Sequence, residues 1–249
     1  MPINPRHSRL VLFTMAGILL PQAAAARKAI PDLPEAELPW TGTVPVPGAA
    51  TGDHPIRLLV LGDSTAVGVG TDHQEDALAG NLARSLSAEW ERGVTWEVIG
   101  QKGATTKDLL ERFLPAATQK TYDVIFLTIG ANDVLGIRTR RAFRHDYRAI
   151  LRRLRSANPE ALILASCLPT FSQFHSLPNP LRWAIQLHGT NLEAAAMAIA
   201  NAEPGVIRSP PAPEYNDDFF ATDHFHPSAA GYRDWVDFTL ASAKLVRGA

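Results

Sequence analysis

The stretch Ile56-Arg-Leu-Leu-Val-Leu-Gly62, followed at once by Asp63-Ser64-Thr65, decides how the rest of this chain is read. Apart from Arg57 the run is continuously apolar and stops at a glycine, the pattern of a strand buried on both faces. Runs of the same kind follow at VTWEVIG (94–100), YDVIFLTIG (122–130) and ALILASCL (161–168), with a shorter GVI at 205–207. Helical patterns lie between them. Leu78, Leu82 and Leu86 recur every four residues within 75–88, and Phe143, Tyr147, Leu151 and Leu154 form a stripe within 141–155. The segments 181–201 and 229–245 are rich in Ala and Leu. This alternation predicts an α/β fold: a right-handed, doubly wound, three-layer α/β/α sandwich around a parallel sheet of about five strands, flavodoxin-like in type. It spans 56–249 as one domain, and no internal repeat is found.

Working outward, Arg6, His7 and Arg9 precede an apolar run, LVLFTMAGILL (10–20), then Pro21, Gln22 and Ala23 to Ala26. A basic start, a short apolar core and small-residue steps read as a signal peptide cut near Ala25 or Ala26, or as an uncleaved anchor. Eleven residues fall short of the about 20 needed to span a bilayer core. No cysteine follows the run, which excludes a lipid-modified cysteine anchor. The expectation is export to the periplasm or medium, with or without a membrane tether. Residues 27–55, with Pro31, Pro34, Pro39, Pro45, Pro47 and Pro55, read either as a linker or as a tail laid on the domain surface.

Of the 249 residues, 46% are apolar and 20% charged, which excludes disordered, collagen-like and polytopic membrane chains. Lys plus Arg number 24 against 25 Asp plus Glu, so no overall field suggests a nucleic-acid partner. The one cysteine, Cys167, excludes an intramolecular disulfide and a Cys-rich zinc site. Locally, Arg138, Arg140, Arg141, Arg144, Arg148, Arg152, Arg153 and Arg155 face a single acid, Asp146. That helix suits a solvated face or a resting place on anionic lipid headgroups. Nothing in the sequence speaks to an oligomeric state.

In doubly wound folds ligands meet the carboxyl ends of the strands. The first strand ends in Gly62-Asp63-Ser64. Five residues separate Gly62 from Gly68 and no lysine follows, so this is no phosphate loop; Gly68-x-Gly70 lacks the third glycine of a dinucleotide loop. What remains is a nucleophilic serine at a strand-to-helix turn, or a helix cap. The second strand leads to Gly100-Gln101-Lys102-Gly103, the third to Gly130-Ala131-Asn132-Asp133, and Asp223-His224-Phe225-His226-Pro227 precedes the last helix. Asp223, three residues before His226, can reach its ring across one turn. A zinc reading of Asp223, His224 and His226 lacks obvious further ligands.

In this order the four blocks resemble those of the SGNH-hydrolase superfamily, the GDSL-type esterases and lipases, over residues 56–246. The resemblance implies Ser64 as nucleophile, His226 as general base and acid, and Asp223 as the acid that orients the histidine. It implies an oxyanion hole from the Ser64 and Gly103 N–H groups and the Asn132 amide. It further implies a serine esterase that cleaves lipid or small-molecule carboxylic esters through an acyl-enzyme, with no cofactor and no metal. A lysophospholipase or thioesterase, a carbohydrate deacetylase, and a catalytically silent lipid- or sugar-binding module are the alternatives. Thr65 departs from the family's usual leucine, a change expected to bear on specificity. The Gly-x-Ser-x-Gly elbow of the α/β-hydrolases is absent. Asp63 and Asp133 read as carboxylates holding the turns that carry Ser64 and Asn132. The Phe- and Pro-rich loop 168–181 reads as a wall of the acyl pocket or as an ordinary packed loop.

Overall fold

A computed structural model describes residues 4–46, 54–210, 214–216 and 218–247, with side chains to residue 243. Six strands form one sheet: β1 (Thr41–Val44), β2 (Ile56–Gly62), β3 (Val94–Gly100), β4 (Val124–Thr128), β5 (Leu162–Ala165) and β6 (Val206–Arg208). Their order is β1-β3-β2-β4-β5-β6, and β2 to β6 run parallel. These five are the strands expected from the sequence. The sixth, β1, pairs antiparallel with β3 at the sheet edge.

Burial on both faces is what makes the strands read as unbroken apolar runs. Leu59 and Leu61 of β2 face one core cluster, while Ile56, Leu58 and Val60 face the other. Each is at most 1% exposed, so each contributes roughly 1.5–3 kcal/mol of burial. Helices α1 (Ser8–Thr14), α2 (Ala16–Ala29), α3 (Leu78–Trp90), α4 (Arg140–Ala157), α5 (Leu181–Ala200) and α6 (Ala229–Arg247) cover the two faces. On α3 the buried row includes Leu78, Leu82 and Leu86; on α4 it runs Phe143, Tyr147, Ile150, Leu151 and Leu154.

The crossover from β3 to β4 had no helical pattern in the sequence. It is helical from Thr106 to Ala117, with a wider π turn over Leu109–Phe113 ahead of Pro115. Pro115 carries no N–H, so an α ladder could not run through it unbroken.

Of the two readings of residues 27–55, a packed tail describes the portion up to 46 and a free linker does not. Ala36 is buried, Trp40 O accepts from Val98 N (2.9 Å), and Thr41–Val44 continues the ladder between Pro39 and Pro45. The prolines bound the strand rather than interrupt it, and an edge strand needs a ladder on one side only. Residues 47–53 lie outside the described residues.

The N-terminal run also packs. Helices α1 and α2 meet at a bend of 89°, and no single helix among the described residues is long and apolar enough to cross a membrane. Leu12, Leu19 and Ala26 are buried in the core cluster that includes much of α5, and Ser8 Oγ lies 2.9 Å from His188 Nδ1. Leu10, Phe13, Ile18 and Leu20 point to solvent. The arginine-rich α4 is only partly a solvated face. Arg138 is paired with Asp133 and Asp146, Arg152 with Glu203, and Arg155 donates to the carbonyls of residues 158, 159 and 161.

Candidate active site

The order in which strands are added reverses at β2, which has β3 on one side and β4 on the other; that is where a doubly wound sheet opens a crevice. The ends of these three strands deliver Ser64, Gly103 and Asn132 to one cavity of about 200 Å³, and the segment before α6 adds His226. The sheet is tight there. A side chain on Gly62 would meet Thr128 O at 1.9 Å.

Ser64 sits in a turn held by Asp63. The buried Asp63 carboxylate accepts from Thr65 N (3.2 Å) and Thr65 Oγ1 (3.1 Å), and Thr65 Oγ1 also meets Thr128 Oγ1 at 2.7 Å. Thr65 lines the cavity, as a specificity position would, but its hydroxyl is spent on this turn. Burial pushes the Asp63 carboxyl up to about 6; the Thr65 hydrogen bonds and the His226 ring pull against it, and Asp133 adds to the rise.

His226 Nε2 lies 3.1 Å from Ser64 Oγ, and Nδ1 lies 2.6 Å from Asp223 Oδ2. The other Asp223 oxygen accepts from the N–H groups of Phe225 and His226, both at 2.9 Å. Burial raises the Asp223 carboxyl, but the His226 ring and these two N–H donors outweigh it, and the net shift is downward. An ionised Asp223 keeps the proton on Nδ1, leaving Nε2 to accept from the serine hydroxyl.

The turn that aligns them passes through His224, whose φ of 53° is left-handed and whose side chain is exposed. Asp223 and His226 thus meet, while His224 leaves the site. Among the described residues no three His, Cys, Asp or Glu side chains are grouped to hold a metal. Gly70 seals the other side: with φ 104°, it lets the chain pass so close that a Cβ there would fall 2.2 Å from Pro227 O.

Gly103 stands at φ 81° in a turn closed by Ala104 N donating to Gln101 O (3.1 Å). Positive φ at the third residue of a type II turn favours glycine. Among the described residues neither the Ser64 N–H nor the Gly103 N–H has a hydrogen-bond partner. Asn132 Nδ2 donates to Ala104 O (2.9 Å), which ties its turn to that of Gly103 and leaves its second amide hydrogen available. Asp133 does what its sequence context suggests. Fully buried, it accepts from Thr106 N (2.8 Å), Thr106 Oγ1 (2.7 Å) and Arg138 (3.0 Å), and burial pushes its carboxyl up despite those donors.

Leu168, Pro169, Phe171 and Phe174 of loop 168–181 line the cavity, so this loop is one of its walls. Residues that the sequence did not single out complete it: Tyr215, Phe219, Phe225 and Lys102. Phe174 is the hub, with ring centroids of Phe171, Phe220 and Phe225 each 5.2 Å away and Tyr215 at 6.0 Å. The cluster FF at 219–220 beside Asp223 was the signal available for that wall.

The fold is a three-layer α/β/α sandwich that sets Ser64, His226 and Asp223 in one hydrogen-bonded row beside an apolar cavity. Residues 60–233 match the model of the GDSL-like Lipase/Acylhydrolase family, and the chain belongs to it. It is 26% identical over 184 residues to the GDSL-like esterase Rv1075c of Mycobacterium tuberculosis, covering 71% of this chain but only 58% of that protein. Its fold is similar to the lipase Lip_vut3 from a goat rumen metagenome (TM-score 0.59, 19% identity, 75% of this chain and 97% of that one). It is likewise similar to a carbohydrate esterase family 2 enzyme of Corynascus thermopiles (TM-score 0.59, 16% identity, 80% and 69%). The chain thus spans little more than half the length of the curated relative it matches.

Proposed function

We propose that the protein is a serine esterase that cleaves carboxylic esters with an apolar acyl group through an acyl-enzyme. The observation that carries this reading is the hydrogen-bonded row Asp223–His226–Ser64 at the edge of an aromatic cavity. Ser64 Oγ attacks the carbonyl carbon as His226 Nε2 takes its proton. The tetrahedral oxyanion is met by the N–H groups of Ser64 and Gly103 and by the Asn132 amide. The C–O bond to the alcohol breaks, and His226 returns the proton to the leaving oxygen. Water, activated by the same nitrogen, then releases the acid and restores Ser64. Leu168, Phe171, Phe174 and Phe225 suit a hydrocarbon chain better than a hydrated sugar ring, which favours this reading over carbohydrate deacetylation.

Ser64→Ala is expected to abolish hydrolysis of nitrophenyl esters while leaving the melting temperature within a few degrees of the parent. A fluorophosphonate probe should label Ser64 alone. A folded Ser64→Ala protein that still turns over ester would end the assignment, and a parent chain that takes no label would favour a silent binding module.

Export belongs to the same proposal, supported by the basic start and apolar run of residues 1–26. N-terminal sequencing of protein recovered from cells tests it: a start at residue 26 or 27 marks a cut leader, and an intact start in a soluble intracellular fraction overturns export.

A further inference from the structure

Residues 32–37 touch two loops that the proposed chemistry depends on. On one side, Ala36 N donates to Val67 O (3.0 Å) and Glu37 N to Asp72 O (2.8 Å), so the segment is stitched to the chain just after Ser64. On the other side, Glu35 Oε1 accepts from Lys102 N at 2.8 Å, and Lys102 Nζ reaches Leu33 O at 2.5 Å and the Asp32 carboxylate. Lys102 is thus held at both its backbone and its ammonium, and the next residue is Gly103.

Why such a hold matters follows from the turn. Gln101 to Ala104 form a turn in which Lys102 and Gly103 are the two central residues. Type I and type II turns differ by rotation of the central peptide, through roughly 150° at ψ of the second residue, from about −30° to about +120°. That peptide carries the Gly103 N–H. Glycine tolerates both forms, so Gly103 itself does little to fix where its N–H points. Something outside the turn has to.

We propose that Glu35 is a positioning residue for the oxyanion side of this site. By taking the Lys102 N–H it anchors the peptide that precedes the rotating one, and so holds the Lys102 Cα from which the Gly103 N–H is presented to substrate. The inference rests on reading Gly103 as an oxyanion donor. The contacts are unequal. Glu35 is half-buried, and its bond is to a backbone amide. The Asp32 side chain is 93% exposed, and an ion pair that open to water contributes little. Glu35 therefore carries the effect, with Asp32 nearly silent.

The test is steady-state kinetics on the purified full chain with a nitrophenyl ester. Glu35→Ala is expected to lower kcat about tenfold, below the about 10²- to 10³-fold of a deleted donor, because the N–H is misaimed rather than removed. KM should stay within twofold, and a boronic acid that forms a tetrahedral adduct should lose affinity by the same factor as kcat. Glu35→Gln, which keeps an acceptor oxygen, should recover most of the rate, and Asp32→Ala should match the parent. Lys102→Met keeps the backbone donor but loses the ammonium contacts, and should fall between the parent and Glu35→Ala. Glu35→Asp, whose shorter side chain draws the carboxylate away from the Lys102 N–H, answers the question should Glu35→Ala fail to fold: a lowered kcat at unchanged KM supports the role, and a native kcat overturns it. An unchanged kcat in a folded Glu35→Ala protein, a loss confined to KM, or failure of Gln to recover activity overturns the proposal. If Ser64→Ala is inert while Glu35→Ala is native in rate, only this inference fails; if Ser64→Ala is active, the underlying reading fails with it.

Discussion

The site has two halves that are built differently. Ser64, His226 and Asp223 are joined by their own side chains, at 3.1 Å and 2.6 Å, and the Asp223–His226 link is local, three residues apart. Gly103 and Asn132 lie on the other half, where the groups proposed to face substrate are N–H donors on loops held by remote residues. Asn132 leans on Ala104 O, Asp133 on Thr106 and Arg138, and Lys102 on Glu35, 67 positions away. The first half depends on residue identity, the second on loop placement. Damage to the first should be all-or-none and to the second graded.

The largest effect should come from the two neighbouring histidines. His226→Ala leaves the serine without a base and should lose nearly all turnover, keeping only what binding and the oxyanion donors supply. His224→Ala, with its side chain already in solvent, should keep most activity; its left-handed φ makes replacement by glycine the milder control. A dead His224→Ala beside an active His226→Ala would break the account of this half.

Asn132→Ala should reduce kcat by roughly 10²- to 10³-fold with KM little changed, as for loss of one oxyanion donor. If it proves as inert as His226→Ala, the two halves are not different in kind. A change confined to KM would place Asn132 in ground-state binding instead.

A further effect is on stability rather than rate, and comes from the carboxylate under Ser64. Asp63 is raised from its ordinary 3.8 to about 6, so between those values the folded chain binds more protons than the unfolded one. Unfolding free energy then falls as pH rises: the contribution is fully present below about pH 3.8 and lost above about pH 6, an order of 3 kcal/mol. Asp63→Asn keeps an acceptor for Thr65 but has no charge to bury. Denaturant titrations at pH 4.5 and pH 8 should show the variant gaining on the parent toward pH 8. Parallel pH profiles for the two proteins would show that Asp63 does not titrate in this range.

The same division governs what was legible in the sequence. The five parallel strands were readable because burial on both faces leaves no polar alternation in runs such as 56–62 and 122–130. Ser64, Asn132, Asp223 and His226 were readable because each sits in a short motif at a strand end or before the last helix. What β1 contributes is a backbone ladder from Thr41-Gly42-Thr43-Val44, with one large apolar residue, so it left no periodicity to read. Glu35 and Lys102 carry no motif either, since their bond is between a side chain and a main-chain amide, and any residue but proline supplies the latter. The aromatic wall was half legible: loop 168–181 was in view, while Tyr215, Phe219 and Phe225 join it only through the return of the chain before α6.

The 3.1 Å contact between Ser64 and His226 joins residues 162 positions apart. Synthesis proceeds from the N-terminus, and domains condense as they emerge. Ser64 and its strand are therefore available long before any imidazole can stand beside them. Until His226 has emerged and α6 has docked, the nascent polypeptide holds Ser64 without that imidazole beside it. Under the proposed chemistry, reactivity toward esters therefore waits for residue 226 and the docking of α6, a latency that follows from the order of Ser64 and His226 in the chain.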